Sequence, residues 1–145
     1  MDSENLILSG CPVAKGISRL GDAWSMLILR DASRGMKRFD QFRTSLGIAP
    51  NILTRRLSDL TADGILERRR YSERPPRDEY VLTQAGIEFL PILALIGDWA
   101  CKQPGGDKLR RIIDADTGEL IKLELVDAKT GKSIEGRRLT LVDPS

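Results

Sequence analysis

"GIAPNILTRRLSDLTADGILERRRYSERPPRDEYVL", residues 47–82, decides how this chain is read. Gly47 breaks a preceding short helix, Pro50 stands where a first helical turn accepts proline, and Gly64 stands where a helix ends. On a 3.6-residue wheel Leu53, Leu57 and Leu60 share one face, while Asn51, Arg55 and Ser58 point the opposite way with Thr54 alongside. Such a helix can pack on its leucines and still present a polar N-terminal half to a groove. Alternation in Leu66 to Tyr71 and again in Asp78 to Leu82 predicts two strands, with Ser-Glu-Arg-Pro-Pro-Arg as a loop that cannot extend the ladder. The hairpin carries Arg68, Arg69, Arg70, Arg74 and Arg77. Alternation turns at least one of Arg68 to Arg70 to the other face, toward solvent or a salt bridge. A helix-turn-helix followed by a basic hairpin is a winged helix, whose recognition helix enters the major groove and whose wing reaches flanking phosphates or the minor groove.

Upstream, Val13, Ile17 and Leu20 repeat at helical spacing behind Pro12. Gly21 fits a helix C′ position and Asp22 an N-cap, so residues 11–33 split into two helices, the second from about Ala23 to Ser33. Trp24, Leu27 and Ile28 share a face of that second helix, and "MKRF" could form a small strand. Asp40 is expected to cap a brief helix that buries Phe42 and Leu46.

Downstream, Thr83 caps a helix to about Lys102 that is apolar on more than one side, and Pro91 predicts a kink or break near residue 90. A helix this apolar needs a second covering surface, and a two-fold pair would present two recognition helices to a two-fold site. Trp24 and Trp99 therefore read as core or dimer residues. "PGGD" marks a linker, after which "DADTGE" and "DAKTGK" recur thirteen residues apart between β-rich runs, predicting two hairpin turns and a small sheet. The expected domains are 1–103, a winged-helix and dimerisation domain, and 104–145, a β-rich extension. The fold class is α+β.

Composition narrows the function. From Arg30 to Arg77 twelve Lys/Arg face six Asp/Glu, a balance of +6, whereas the rest of the chain carries −4. Concentrated positive charge is what a phosphate-facing surface requires. The chain has no histidine and only two cysteines, which removes common zinc sites and histidine acid–base chemistry. There is no Gly-rich phosphate loop and no G-x-S-x-G, so no enzyme, metal or cofactor is expected. The remaining catalytic reading, carboxylate chemistry at Asp114 and Asp116, lacks partner residues. The acidic start "MDSENLILSG" is unlike a secretory leader, and no apolar run approaches the roughly 18 residues of a membrane span. A cytoplasmic protein is expected.

Together "CPVAKGISRLGDAWSMLILRD", "GMKRF", "IAPNILTRRLSDLTADGILERR" and "YSERPPRDEYVLTQAG" resemble the HxlR-type winged helix-turn-helix regulators, a branch related to the MarR group, over residues 11 to about 101. The resemblance implies a homodimer on a palindromic double-stranded operator, joined through its first and last helices and acting as a repressor. It implies DNA contacts from Asn51, Thr54 and Arg55, with Arg38 and Arg56 near phosphates and Arg74 and Arg77 on the wing; Ser58, on the same polar face of the wheel, is expected to join them. Ala49 departs from the pattern, since relatives offer Ser there as N-cap; a missing cap costs about 1 kcal/mol. Some relatives carry a similar tail with Cys-Gly where this chain has Thr-Gly, which would remove any metal-knuckle role here.

Cys11 matches a cysteine that serves some family members as a thiol switch. Physically, a cysteine just ahead of a helix faces the positive end of its dipole, a setting in which thiols become reactive. The competing role is a small buried residue. Modulation by a small effector is the other option, although no stretch identifies one. The alternative to DNA binding is a winged helix used for protein contacts, with the β-rich tail as docking surface.

Overall fold

The computed structural model describes residues 10–145, so most of the acidic start read above for a leader lies outside the described residues. The elements run α1 (Pro12–Leu20), α2 (Ala23–Ser33), α3 (Phe39–Leu46), α4 (Pro50–Ala62), β1 (Leu66–Glu73), β2 (Pro76–Leu82) and α5 (Gln84–Cys101), then one 3₁₀ turn at Gly106–Lys108. Chain contacts cluster into two units, one through Leu93 and the other Ala94–Ser145. That division falls inside α5, whereas the sequence suggests the Pro-Gly-Gly-Asp linker.

The joint between α1 and α2 forms as its residues predict at Asp22, whose carboxylate accepts from Ser25 N at 2.9 Å and Ser25 Oγ at 2.6 Å. Gly21 ends α1 as expected, at the C-cap rather than C′, with φ −76°. A Cβ there would strike the Ile17 carbonyl and side chain, so the glycine permits close approach.

Around "MKRF" the expected strand is replaced by a single tie, Tyr80 N–H to the Lys37 carbonyl at 2.7 Å. Gln41 Oε1 accepts from Lys37 N at 2.9 Å and Arg38 N at 3.0 Å, taking the donors a strand would need. The helix accordingly starts at Phe39 with Arg38 at the N-cap, and Asp40, expected as the cap, sits in the first turn. Gly47 ends α3 at φ +62°, a conformation costly for any residue with a Cβ.

The core lies in the first unit. Ile28, Leu29, Phe42, Leu53, Leu57, Leu60 and Leu66 are fully buried, with Trp24, Leu46, Phe89 and Leu93 packed against them. Each such buried aliphatic or aromatic side chain contributes about 1.5–3 kcal/mol. The leucine face of α4 is thereby anchored and its opposite face left in solvent.

The hairpin is longer than its sequence suggests. Leu66 pairs with Leu82 and Arg70 with Asp78; after a register shift Ser72 pairs with Arg77 and Glu73 with Pro76. The tip predicted to stay out of the ladder joins it, leaving Arg74 and Pro75, linked by a cis peptide bond, as the turn. Pro76 closes the ladder at its end, where a missing N–H costs little.

Thr83 links wing to helix: its hydroxyl reaches the Gly64 carbonyl at 2.6 Å and accepts from Gly86 N–H at 3.2 Å. Helix α5 then runs unbroken through Pro91, so of the expected kink or break the break is absent. By length and composition α5 is long and apolar enough to cross a membrane, with mean hydropathy 1.2 over 18 residues. This corrects the sequence expectation, since Glu88 and Asp98 interrupt the apolar run without reversing its average. Its Phe89 and Leu93, however, pack on the winged-helix core.

In the second unit both predicted turns form. Gly118 N–H donates to the Asp114 carbonyl at 2.8 Å, and Gly131 N–H to that of Asp127 at 2.7 Å. The expected sheet reduces to two isolated bridges, Ile113 with Leu120 and Val126 with Ser133. Leu120, Leu139 and Val142 stay exposed, so burial within this unit does not reward longer strands.

Candidate nucleic-acid interface

Helix α4 begins at Pro50 behind Ala49, which supplies no side-chain cap. Asn51, Thr54, Arg55 and Ser58 all lie exposed, opposite the buried leucines. Thr54 Oγ1 donates to the Pro50 carbonyl at 2.9 Å, so its oxygen is left to accept from outside the chain. Arg55 makes no ion pair among the described residues. Arg56 is different: its guanidinium lies 3.3 Å from Asp22 and 3.7 Å from Asp59, tying α4 to the α1–α2 joint. The resemblance places it near phosphates; in the structure its partly exposed guanidinium faces these two carboxylates.

The five hairpin arginines divide in the same way. Arg70 Nε is 3.2 Å from Asp78, Arg68 Nε is 3.9 Å from the same carboxylate, and Arg69 is 3.1 Å from Glu67. Thus all three central arginines have carboxylate partners, beyond the one that strand alternation required. The Arg69 hydrogen bond and charge hold the Glu67 carboxyl below its ordinary range, and Glu67 raises Arg69 in return. Asp78, with help from Glu73, likewise raises Arg70. Arg74 and Arg77, by contrast, are exposed and have no ion pair among the described residues.

Two recesses collect the candidate residues. One, about 400 Å³, lies between α4 and the wing and is lined by Thr54, Ser58, Arg68 and Tyr80 among others. Another, about 490 Å³, brings Arg38 of the α3 N-cap to Arg77 of β2, with Gln41 and Tyr71 in its wall. The Arg38 guanidinium sits 4.3 Å from the centre of the Tyr71 ring, a cation–π contact. Sequence reasoning missed Tyr71, and its only signal was an aromatic in a strand otherwise polar beyond Leu66.

Cys11 caps α1, its Sγ accepting from Ala14 N–H at 3.5 Å, and Cys101 Sγ donates to the Arg110 carbonyl at 3.6 Å. Asp114 Oδ1 accepts from Asp116 N at 2.8 Å and Thr117 N at 3.2 Å, an oxygen used to shape its turn. A cavity of about 360 Å³ in the second unit is lined by Asp98, Arg111 and Ile112 rather than by Asp114 or Asp116. Among the described residues no group of three or more His, Cys, Asp or Glu is placed to hold a metal ion.

A buried-backed recognition helix with a polar outer face, followed by a basic wing, defines a winged helix-turn-helix protein. The chain belongs to the HxlR-like helix-turn-helix family, whose model matches residues 19–107. It is 31% identical to the HTH-type transcriptional regulator Rv3095 of Mycobacterium tuberculosis over 90% of this chain and 84% of that relative. Its fold is similar to the crystal structure of the transcription factor PA1607, with TM-score 0.79 and 33% identity over 92% of this chain and 96% of that one. Coverage that wide takes the likeness into the second unit. The redox regulator HypR in its reduced form is similar at TM-score 0.59 and 34% identity, over 62% of this chain and 90% of that one.

Proposed function

We propose that this chain is a cytoplasmic transcriptional repressor that binds a palindromic operator as a homodimer. The observation that carries the reading is the division of α4, with Leu53, Leu57 and Leu60 buried while Asn51, Thr54, Arg55 and Ser58 face solvent. Arg55, with no carboxylate partner among the described residues, suits a bidentate contact to guanine, worth about 1–3 kcal/mol of discrimination at one base. Arg38, Arg74 and Arg77 contact phosphates. Val13 and Ile17 on α1, and Ile92, Ile96 and Trp99 on α5, expose apolar surface that a second copy would cover.

The finer part of the reading is modulation through Cys11. Its place at the N-cap of α1 and the similarity to a protein described as a redox regulator support it. A footprint on the chain's own upstream region that is the same with and without a thiol oxidant would remove this part and leave DNA binding standing.

The second reading, protein docking through the tail, is favoured by the exposed Leu120, Leu139 and Val142. Deletion of residues 105–145 separates the two. The repressor reading expects Arg55→Ala to lose specific binding in a gel shift with the upstream region. The docking reading expects Arg55→Ala and Arg74→Ala to keep full function and the deletion to abolish it.

A further inference from the structure

We infer that Tyr71 is a positioning residue of the phosphate-facing edge, holding Arg38 against the wing so that Arg38 and Arg77 meet the same stretch of nucleic-acid backbone. This inference rests on the DNA-binding reading above and adds a residue to it. Tyr71 is the extra residue where the β1–β2 register shifts between Arg70 and Ser72, and a bulge of this kind re-aims the side chain it carries. The Tyr71 ring meets the Arg38 guanidinium at 4.3 Å.

The backbone brings the two together. Tyr80 N–H on β2 bonds the Lys37 carbonyl at 2.7 Å, and Gln41 holds the Lys37 and Arg38 amides, so Arg38 leaves the chain beside the wing. Arg77 borders the same recess from the opposite strand. Asp40 and Asp78 also border it, and Asp78 is held by Arg70 at 3.2 Å. An untethered Arg38 would have these carboxylates within its sweep. The ring contact withholds it from them, and with no ion pair among the described residues engaging its planar fork, that fork stays available to an anion. An arginine already restricted by an aromatic face also loses less freedom when it meets a phosphate.

The test uses the full chain and a mixed-sequence DNA duplex, because phosphate contacts do not depend on sequence. Tyr71→Ala is expected to weaken binding roughly two- to five-fold, the range of an exposed cation–π contact, and Tyr71→Phe to restore it. Arg38→Ala should lower the slope of log affinity against log salt by about 0.9, and Tyr71→Ala should lower it in the same direction. In an Arg38→Ala background, Tyr71→Ala should have no further effect on affinity or slope. A wing merely loosened by loss of the ring would add its effect on top of Arg38→Ala, and that result overturns the inference. So does wild-type affinity and slope in Tyr71→Ala. Wild-type chain that binds no duplex at low salt instead overturns the DNA-binding reading itself.

Discussion

At the base of the wing, Arg68, Arg69 and Arg70 each have a carboxylate within 4 Å, from Asp78 or Glu67. Toward its tip Arg74 and Arg77 have none among the described residues, and neither does Arg38 across the recess. The five hairpin arginines look alike in sequence, but the structure engages the charge of three with neighbours and leaves two facing outward. A count of basic residues therefore overstates the surface that can displace counterions. The same division separates Arg55 from Arg56 on the recognition helix, one facing solvent and the other drawn to Asp22 and Asp59.

The largest expected effect breaks this comparison directly. Replacing Arg38, Arg74 and Arg77 together with Gln should lower the salt slope of duplex binding by about 0.9 for each phosphate no longer neutralised, about 2.7 in all. The matching triple replacement of Arg68, Arg69 and Arg70 should change it far less. Equal changes in the two triples, measured by fluorescence anisotropy across a salt series, would show that the ion pairs do not sort the arginines.

A smaller effect sharpens it. Asp78→Asn removes the carboxylate shared by Arg68 and Arg70, so the slope should steepen by about 0.9 to 1.8 as they become available. Asp22→Ala concerns folding instead: it removes the α2 cap and leaves Arg56 with Asp59 alone, and thermal or urea unfolding should show a loss of about 1–2 kcal/mol. The least change is expected with pH. Glu67 is held below its ordinary range by Arg69, so the pair's contribution is fully present above the ordinary carboxylate range and is lost only as pH falls through the lowered value. Unfolding curves of wild type and Glu67→Gln should therefore keep a constant offset between about pH 7 and pH 5.5; an offset that closes in that window contradicts the pairing.

Much of the architecture is local and legible. Asp22, Gly47, Pro50 and Thr83 mark element ends by their own chemistry, and the Leu53, Leu57, Leu60 spacing identifies the buried face of α4 without reference to anything else. The errors fall where a contact outside a residue's own propensity decides. Lys37 fails to form a strand because Gln41 takes its amide, and the wing extends to Pro76 because a register shift at Tyr71 lets it. Ion pairing follows the same rule. Glu67 and Arg69, two apart on one strand face, could have been paired from the sequence, whereas Arg56 with Asp22 depends on how α4 crosses the first joint. The exposed face of α4 could thus be read in advance, but not which of its neighbouring arginines remain free to meet a phosphate.

The most direct test of the account is the affinity of the wild-type chain for its own upstream region across a salt series. The account predicts binding at low salt, with log affinity falling linearly against log salt at a slope of several, and Arg55→Ala losing preference for that region over mixed-sequence DNA. No binding at low salt, or an affinity indifferent to salt, would contradict it.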